Sequence, residues 1–435
     1  MWQNSSVFYQ IYPLGAFGAP FENDGVLEHR LLKMKDYIPG LVDLGIDCIL
    51  FNPLFQSHTY GYDTIDYKTV DVRLGDNEDL QTMIDLLHDH KIRVILDAVF
   101  NHVGRGFFAF EDVLEHREQS IYKDWFYIDF FNNNNYDDHL SYQNWEGNNN
   151  LIKLNLQNPA VVDYLMSVVD FWMDTFHIDG LRLDVAYCLD VNFLKTLHTY
   201  VKSKNPEFFL LGETLHGDYN RWVNDEMLDS CTNYECYKGL YSSFNTKNLF
   251  EICHSYNRQF GKDPWCLYTG KHLFNFVDNH DVVRIASQLE NPKHLPLIYA
   301  MMINMPGIPC IYYGSEWGIE GKKNWNDTDL RPEIKTLQSN DLTEFIKKLI
   351  ELKHSEIALQ EGDYETVALT NLACIFRRKY ENEIVYTCIN MADDSAQLNL
   401  NFSGNLMDLL EKSEIFIENN VKLEPLSVKI LKAIM

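Results

Sequence analysis

Short apolar runs alternate with longer amphipathic stretches along the chain as far as about residue 350. An apolar run of about four to eight residues without alternation is typical of a strand that is buried on both faces, as in a parallel sheet. Seven runs fit this description, and an eighth, at 230–234, is weaker. The predicted strands lie at 7–12, 46–51, 92–97, 178–183, 208–213, 230–234, 273–277 and 308–313.

The stretches between these runs carry apolar residues at helical spacing. The predicted helices lie at 79–90, 159–175, 191–203, 245–260, 295–304 and 341–353. Pro159 suits a first helical turn, and Asn158 before it is a favoured N-cap. Eight strand–helix units in this length favour an α/β fold of the (β/α)8 TIM-barrel type over an open, doubly wound sheet.

Two regions break the alternation and divide the chain into domains. Residues 103–155 follow the third strand and are irregular and rich in Asn and aromatic residues, which predicts an inserted domain B at the carboxyl end of the barrel. Residues 356–435 carry short alternating strands, which predict a C-terminal antiparallel β-sandwich, domain C. Residues 1–102 and 156–355 remain for the barrel, domain A.

The composition narrows the function before any motif is considered. Of 435 residues, 46% are hydrophobic and 23% are charged, as in ordinary globular proteins, and the formal net charge is −26. Such a charge repels phosphate backbones and anionic lipids, which argues against nucleic acids and membranes as partners. The substrate is expected to be neutral or cationic, or to bind where the local charge differs from the average.

The cysteines and the N-terminus indicate a cytoplasmic protein. Nine cysteines are scattered without a CxxC pair, which favours buried, reduced thiols over disulfides or a zinc site. The first residues lack the basic segment and apolar core of a signal peptide. The most apolar stretch, 295–313, contains Asn304 and is interrupted by prolines, so we expect no membrane span.

Three carboxylates follow predicted barrel strands. Asp184 comes after the fourth strand, Glu213 closes the fifth and Asp281 follows the seventh. Since a barrel collects its functional groups at the carboxyl ends of its strands, we expect these three side chains at one rim. Each taken alone is more typical of a solvated or ion-paired rim residue, so it is the ordered set that points to catalysis.

Arg182 and two histidines complete the predicted site. Arg182 lies two residues before Asp184 and thus on the same face of the strand, where it is expected to keep Asp184 ionised as a nucleophile. Glu213 beside ionised carboxylates should have a raised pKa, as a general acid needs. One ionised and one protonated carboxyl group are the apparatus for cleaving a glycosidic bond. His102 and His280 suit hydrogen bonds to sugar oxygens, although either alone is more often a satisfied, half-buried histidine.

Four short segments at these strand ends resemble the sequence regions of the α-amylase family of retaining glycosidases, glycoside hydrolase family 13. They read DAVFNH at 97–102, GLRLDVA at 180–186, GETLH at 212–216 and FVDNHD at 276–281. Two further segments, 61–75 and 307–318, resemble the same family. The resemblance runs from about residue 7 to 355, and the trailing β region fits the family's domain C.

The resemblance implies a role for each matching residue. Asp184 would be the nucleophile, Glu213 the general acid/base and Asp281 the stabiliser of the transition state. The implied sugar contacts and positioning residues are Tyr62 as aromatic platform, then Arg182, His102 and His280, and at the rim Asp63, Asn279 and Arg284. Retention of the anomeric configuration follows from the two-step mechanism.

Many members of the family bind a structural calcium between domains A and B, and the residues for it are incomplete here. Asn101 is present, but Lys153 stands where the family has an Asp, and Cys188 where it has a His. Calcium needs several oxygen ligands, and the Lys153 ammonium would replace its charge. We therefore expect no cofactor and no metal at this place; the Asn/Asp-rich residues 132–138 are the alternative cation site.

The segment LIKLN at 151–155 resembles the MPKLN variant of the neopullulanase, cyclomaltodextrinase and maltogenic amylase group. Those enzymes usually carry an extra N-terminal β domain that helps to form dimers. This chain starts at the first barrel strand, so we expect that domain to be lacking and the protein to be a monomer or a weak homo-oligomer. Leu215 stands where the family usually has a Trp, which predicts weaker stacking on the leaving-group side.

Aromatic residues of domain B and nearby loops are candidates for sugar stacking, and we expect only two or three of them to serve. The candidates are Phe107, Phe108, Phe110, Trp125, Phe126, Tyr136, Tyr142, Trp145, Trp317 and Trp325. In the segment 325–332, Asp329 and Arg331 either bind sugar hydroxyls or pair with each other.

These observations predict a retaining glycoside hydrolase that cleaves α-1,4-glucosidic bonds in maltooligosaccharides, cyclodextrins and other starch-derived glucans. Two alternatives stay open. One is an exo-acting α-glucosidase or an α-glucan transglycosylase of the kind that converts trehalose or sucrose. The other is a non-catalytic carbohydrate-binding protein on the same scaffold, against which the three occupied carboxylate positions argue.

Overall fold

Eight parallel strands form a closed barrel in the computed structural model, which describes residues 1–433. In chain order the barrel strands are Phe8–Ile11, Cys48–Phe51, Arg93–Ala98, Gly180–Leu183, Phe209–Gly212, Ser230–Cys231, Phe274–Asn275 and Ile308–Tyr312. Consecutive strands pair in parallel, and the first pairs with the eighth. The sixth and seventh meet through a parallel bridge between Thr232 and Phe274, which closes the ring. The predicted TIM barrel is thus confirmed.

All eight predicted strands are present, and the weakest pattern belongs to a short element. The run at 230–234 contains only the two-residue strand Ser230–Cys231. The remaining strands begin and end within two residues of their apolar runs. The continuous apolar character of these runs is explained by their burial, because one face of each strand packs inside the barrel and the other against the helices.

Helices surround the barrel and cover its outer face. The α-helices are Pro13–Ala16, Met34–Leu44, Asn77–Asp89, Phe108–His116, Pro159–Phe176, Val191–Lys204, Tyr234–Asn245, Phe250–Phe260, Ile285–Gln288, Leu295–Asn304, Asp341–Ser355 and Ile357–Glu361. The side chain of Asn158 accepts a hydrogen bond from the Ala160 N–H, and Pro159 opens the helix, as predicted. No helix within residues 1–433 combines the length and the apolar character that crossing a bilayer requires.

Three helices differ from the predictions. The helix predicted at 245–260 begins only at Phe250, and the helix Tyr234–Asn245 before it was not predicted. The helix Met34–Leu44 was not predicted, since Pro39 lies inside it and a proline in that position normally argues against a helix.

The segment after the third barrel strand folds into short antiparallel strands and the helix Phe108–His116. Its strand His102–Val103 pairs with Asn148–Lys153, so the two ends of the segment meet at the barrel rim. The other short strands of this part are Ile128–Asp129, Ser141–Tyr142 and Asn144–Trp145, and the hairpin Phe55–Ser57 with Thr64–Val70 follows the second barrel strand.

The C-terminal part is one continuous six-stranded antiparallel sheet. Its strands are Asp363–Leu369, Ala373–Tyr380, Glu383–Asn390, Ala396–Asp408, Ser413–Leu423 and Ser427–Ala433, and the last inserts between the third and the fourth. Residues from opposite halves of this sheet, such as Ile375, Cys388, Leu400 and Val421, share one buried core. Both layers of the predicted sandwich therefore come from a single sheet that folds over on itself.

The nine cysteines are unpaired, as predicted, and all of them lie within residues 1–433. Seven are buried, while Cys188 and Cys266 are half-buried. They pack as small apolar residues, in keeping with the reduced thiols that the scattered spacing predicts.

Candidate active site

The residues inside the barrel change from apolar to polar along the strands. Every second residue of a strand points inward, and toward the amino ends these residues are apolar. This lower layer contains Phe8, Cys48, Leu50, Ile95, Phe209, Leu211, Phe274, Ile308 and Cys310. Toward the carboxyl ends the same alternation brings in an upper layer of buried polar residues, which are Gln10, Asn52, Asp97, Arg182, Asp184 and Glu213. The upper layer lies at the face where barrels carry their function.

Arg182 is the centre of the upper layer and is 3% exposed. Its Nη1 contacts both carboxylate oxygens of Asp97, at 2.7 and 2.8 Å, and Oδ1 of Asp184 at 3.0 Å. Its Nη2 lies 2.9 Å from Oε2 of Glu213. One guanidinium thus binds three buried carboxylates, and it brings the predicted nucleophile and the predicted acid/base to the same cation.

The charges do not balance within this cluster. Burial raises the pKa of Asp184 well above its usual range; Arg182 opposes this, while Glu213 and Asp97 add to it. Burial likewise raises the pKa of Glu213, again against Arg182. The raised pKa of Glu213 agrees in direction with the prediction, whereas burial and the neighbouring carboxylates move the pKa of Asp184 against the expectation that Arg182 keeps it ionised. The Asp184–Glu213 pair therefore favours holding one proton in common.

The residue after Asp184 has a strained backbone. Val185 adopts φ 40° and ψ 47°, a left-handed conformation that is costly for a β-branched residue. In this conformation its N–H donates to Oε2 of Glu213 at 2.9 Å. Glu213 is therefore oriented by two donors, the Val185 amide and the Arg182 guanidinium, and the strain is located where it serves that orientation.

Asp281 is the ionised carboxylate of the site. Its Oδ2 lies 2.9 Å from Nε2 of His280, and its Oδ1 lies 2.9 Å from Nη2 of Arg331. Burial raises its pKa, but His280 and Arg331 outweigh burial and hold the pKa of Asp281 well below its usual range. Since its side chain is 36% exposed, this negative charge faces the space above the barrel.

His280 is held in one tautomer by a buried amide. Nε2 of Gln10 lies 2.8 Å from Nδ1 of His280 and donates to Oδ1 of Asn52 at 2.9 Å. Because Gln10 presents an N–H to Nδ1, that nitrogen accepts, which assigns the proton to Nε2, the nitrogen that contacts Tyr62 and lies near Asp281. Gln10 and Asn52 are 4% and 0% exposed, so these two amides are shielded from bulk water.

Tyr62 connects this histidine to the arginine cluster. Its hydroxyl contacts Nε2 of His280 and donates to Oδ2 of Asp97 at 3.0 Å. The rings of Tyr62 and His280 are nearly parallel, with centroids 5.7 Å apart. Hydrogen bonds and short ion-pair contacts therefore link Asp281 to Arg182, and the three predicted catalytic carboxylates belong to one polar network.

An open cavity of about 570 Å³ lies above the upper layer. Five of the predicted site residues line it, namely Asp184, Glu213, Asp281, Tyr62 and His102. Two others, Arg182 and His280, lie beneath its floor and act through the carboxylates that they bind. The volume is in the range of small-molecule sites.

His102 and Trp145 present polar atoms to the cavity wall that are without a hydrogen-bond partner among residues 1–433. These atoms are Nε2 of His102 and Nε1 of Trp145, and both are buried. Burial lowers the pKa of His102 to about 3, so its imidazole is neutral. Its Nδ1 faces the side-chain nitrogen of Asn101 at 3.1 Å and therefore accepts, which makes Nε2 a donor. The cavity wall therefore includes two residues whose ring N–H groups have no acceptor within residues 1–433.

Asp63 and Arg284 are not among the residues that line the cavity. Asp63 is 2% exposed and accepts hydrogen bonds from the backbone and the hydroxyl of Thr59. Arg284 is fully buried and donates to the backbone carbonyls of Leu330 and Tyr313. As substrate contacts these two predictions are not supported, because both side chains are used to fix loops behind the site.

Of its two predicted roles, Arg331 does not adopt the pairing with Asp329; it lines the cavity, and its contact with sugar hydroxyls stays a prediction. It binds Asp281 rather than Asp329, which is exposed, and its Nε donates to the carbonyl of His280 at 3.0 Å. Asn279 likewise acts indirectly, because it donates to the hydroxyl of Tyr234, which lines the cavity. The polar rim is therefore tied to the carboxylates before any ligand is bound.

Two of the ten aromatic candidates, Trp145 and Trp325, line the cavity, as does Leu215. Five others form the core of the inserted segment and are buried, namely Phe107, Phe110, Trp125, Phe126 and Tyr142. Sequence reasoning missed four aromatic wall residues, which are Phe21, Tyr60, Tyr187 and Tyr234. Tyr60 directly precedes the motif at 61–75 and Tyr187 follows that at 180–186, so closeness to a motif was the available signal.

The residues at the family's calcium position do not fit a calcium ion. Oδ1 of Asn101 is buried without a partner in the described part of the chain, as a ligand oxygen would be. Burial raises the pKa of the Cys188 thiol, and the neighbouring Lys153 ammonium opposes it. An ammonium and a neutral thiol beside one amide oxygen are not the oxygen cage that calcium needs.

Two other groups of acidic residues have their oxygens engaged by protein donors. In the stretch 132–138, Asp138 binds the guanidinium of Arg105 at 2.8 Å. The ligand atoms of His29, Asp76 and Asp79 lie within 4.8 Å of one another, but both carboxylates cap the helix that follows. The expectation of a metal-free protein stays a prediction.

The site has the arrangement of a glycosidase. Paired carboxyl groups, a guanidinium and neutral donors lie under an open cavity at one end of a closed barrel. The profile described as "Alpha amylase, catalytic domain" matches residues 31–351. The chain belongs to the α-amylase family, glycoside hydrolase family 13, and is a glycoside hydrolase of α-glucans.

Relatives similar in sequence and a solved structure similar in fold agree with this assignment. The chain is 31% identical over 383 residues to a cyclomaltodextrinase of Bacillus sp, which covers 84% of this chain and 68% of the relative. It is 30% identical over 464 residues to the intracellular maltogenic amylase of Bacillus subtilis, which covers 99% and 77%. The structure of a maltogenic amylase from S. marinus matches with a TM-score of 0.82 at 28% identity, covering 99% of this chain and 67% of that one.

Proposed function

We propose that this protein hydrolyses α-1,4-glucosidic bonds in maltooligosaccharides, cyclodextrins and related starch-derived glucans, by double displacement with retention of configuration. The observation that carries the proposal is the binding of Asp184 and Glu213 to one guanidinium under an open cavity. Retaining glycosidases place two such carboxyl groups about 5–5.5 Å apart, and two groups bound to the same guanidinium are held at close range.

The shared proton of the carboxyl pair fits the first step. On substrate binding it resides on Glu213, which donates it to the glycosidic oxygen while ionised Asp184 attacks the anomeric carbon. The leaving sugar departs with the proton, and Asp184 becomes a glycosyl ester. In the second step Glu213 takes a proton from water, the oxygen of that water attacks the anomeric carbon, and Asp184 is released.

The other groups act on the positive charge and on the orientation of the sugar. Asp281 is held ionised by His280 and Arg331, so it can stabilise the oxocarbenium-like transition state. Tyr62 would lie under the sugar ring, and neutral His102 would donate Nε2–H to a sugar hydroxyl. No step requires a metal ion, and we propose that the enzyme works without calcium.

The cavity and the relatives support neutral α-glucans as substrates. The wall combines aromatic faces with uncharged N–H donors, which suits sugars, and the relatives are named for the opening of cyclomaltodextrins and the formation of maltose. The relative named intracellular and the unpaired thiols support a cytoplasmic location. A monomer or weak homo-oligomer is part of the same proposal.

A time course of products tests the proposal. Purified enzyme is incubated with maltoheptaose, β-cyclodextrin and pullulan, and the products are separated by chromatography. We expect maltose and glucose from internal cleavage of maltoheptaose, opening of the cyclodextrin and panose from pullulan.

The same time course decides the alternatives. Glucose released one unit at a time, with β-cyclodextrin and pullulan untouched, would establish an exo-acting α-glucosidase instead. Products longer than maltoheptaose would establish transglycosylation. Absence of any product with retained binding of maltoheptaose would leave a carbohydrate-binding protein.

A further inference from the structure

A row of aromatic rings leaves the site on the side of Tyr62. The centroid of Tyr62 is 6.0 Å from that of Tyr60, Tyr60 is 6.3 Å from Phe21, and Phe21 is 6.2 Å from Trp325. Exposure increases outward, from 7% at Tyr62 to 37% at Phe21 and 88% at Trp325. We call Tyr60, Phe21 and Trp325 the aromatic row.

At the outer end of the row, the Trp325 ring is exposed and does little to stabilise its own loop. An indole that is 88% exposed gains little from burial, and its segment is otherwise polar, with Lys323, Asn324 and Asn326 beside it. All three rings of the row also line the cavity above the carboxylates. Aromatic faces at successive depths of one cavity suit successive rings of a bound chain.

The row lies on the glycone side of the bond that is cleaved. In the proposed mechanism Glu213 protonates the leaving oxygen, and Leu215, two residues later in the chain, also lines the cavity. The row instead adjoins the stabilising carboxylate: Tyr12 donates to the carbonyl of Tyr60, and Arg331, which binds that carboxylate, packs over the Tyr12 ring at 4.6 Å. A glucan on the row therefore extends from Tyr62 in the non-reducing direction.

We propose that the aromatic row binds glucosyl units on the non-reducing side of the cleaved bond, with Trp325 as the outermost platform. The inference rests on the proposed function and deepens it. Since binding energy is then gained from units beyond the one that reacts, the enzyme prefers longer glucans and internal bonds over the release of single glucose units.

The first test measures binding without turnover. Trp325→Ala is made in an Asp184→Asn background, and Trp265→Ala serves as the matched control, because Trp265 is 51% exposed and does not line this cavity. Calorimetry with maltoheptaose should show affinity weakened about tenfold by Trp325→Ala, unchanged by Trp265→Ala and largely restored by Trp325→Phe. Equal affinities of the two alanine variants would overturn the proposal.

The second test separates this proposal from the proposed function. In otherwise wild-type enzyme, kcat/KM is measured for maltoheptaose and for p-nitrophenyl α-glucoside, whose single sugar does not reach the row in a productive complex. The ratio of the two values should fall about tenfold in Trp325→Ala and in Phe21→Ala, and stay constant in Trp265→Ala. If both substrates are cleaved and the ratio of the two kcat/KM values is unchanged in Trp325→Ala and Phe21→Ala, the role of the aromatic row is refuted and the proposed function is not. Failure of the wild type to cleave either substrate would refute the proposed function, and the calorimetry would still decide the row.

Discussion

The lower and upper layers of the barrel interior are built on the same strands, and two residues of sequence separate them. On the first strand Phe8 and Gln10 both point inward; on the third, Ile95 and Asp97 do so. The lower layer is packed from apolar side chains, whereas the upper layer holds carboxylates in excess of cations. The difference shows how close the two parts of the interior are. An inward-pointing residue can stabilise the fold, and the next inward-pointing residue on the same strand, two positions later, can take part in chemistry.

Removal of a charge in the upper layer should give the largest effect. Asp184→Asn keeps the size of the side chain and removes the nucleophile, so we expect kcat to fall by about 10⁴-fold or more. The free energy of unfolding should not decrease, because the variant relieves repulsion among buried carboxylates. Kinetics on maltoheptaose and urea denaturation measure the two quantities, and Glu213→Gln is the companion variant. Unchanged turnover in both would mean that the catalytic assignment is wrong.

Removal of a packed side chain from the lower layer should lower the free energy of unfolding and leave kcat nearly unchanged. Phe8 contacts the rings of Trp2, Phe209 and Phe274. Phe8→Ala should lower the free energy of unfolding by about 3–5 kcal/mol, as expected for a large cavity, and leave kcat of the folded enzyme nearly unchanged. Phe416→Ala, at a position that is 70% exposed, is the control and should change stability little. A loss of kcat as large as that of Asp184→Asn would contradict the division into two layers.

Glu316 is buried on the outer side of the first strand and belongs to neither layer of the barrel interior. Tyr9 lies between Phe8 and Gln10, points outward and donates to Oε1 of Glu316 at 2.7 Å. Burial raises the pKa of Glu316 from 4.5 to about 7. The folded state therefore keeps a proton that the unfolded state has lost, and stability is full below pH 4.5 and falls as pH rises toward 7.

We expect the contribution of Glu316 to this loss to be about 3 kcal/mol between pH 4.5 and 7.5. Glu316→Gln keeps the donor–acceptor geometry and should remove that part of the pH dependence. Urea denaturation of both proteins across this range measures it, and parallel curves would contradict the account of Glu316.

A smaller effect is expected from the amide that orients His280. Gln10→Leu removes the donor to Nδ1 and leaves the charged groups in place, so kcat/KM should fall by up to about tenfold, the equivalent of one neutral hydrogen bond. Nitrogen NMR of the histidine should show that His280 no longer has a single tautomer. Gln259→Leu, at a buried glutamine outside the cavity lining, is the control for a purely structural loss. The prediction fails if Gln10→Leu leaves both kcat/KM and the tautomer unchanged.

The smallest effect is expected from a chelator. Since we propose that the Lys153 ammonium takes the place of a calcium ion near Asn101, EDTA should leave the melting temperature and the activity unchanged. Differential scanning calorimetry with EDTA and with added calcium checks this. A marked fall of the melting temperature in EDTA would show that a bound cation supports the upper layer.

The sequence was sufficient for the barrel and for the centre of the site. Apolar runs mark strands that are buried on both faces, and polar residues at their carboxyl ends are brought together by barrel closure alone, which is why Asp184, Glu213 and Asp281 could be placed at one rim. Arg182 was found because two residues on a strand share a face, and its contact with Asp184 bears this out.

The remaining features depend on contacts that no local pattern contains. Phe21 and Trp325 lie in loops that are 304 positions apart, and only closure of the first strand against the eighth brings them together. Arg284 resembled a rim residue because it follows a motif, but its side chain turns away into the loops behind the site. The raised pKa of Asp184 is caused mainly by its burial and then by Glu213 and Asp97 beside it, and the spacing of residues in the sequence reveals neither.

The central claim is that the two carboxyl groups bound to Arg182 carry out a double displacement. Proton NMR of the first products from maltoheptaose, recorded before mutarotation, tests this most directly. The account predicts that the newly formed reducing ends are in the α configuration and convert only later to the mixture. Reducing ends that form first in the β configuration would show a single displacement by water, and would contradict the roles of Asp184 as nucleophile and Glu213 as acid/base.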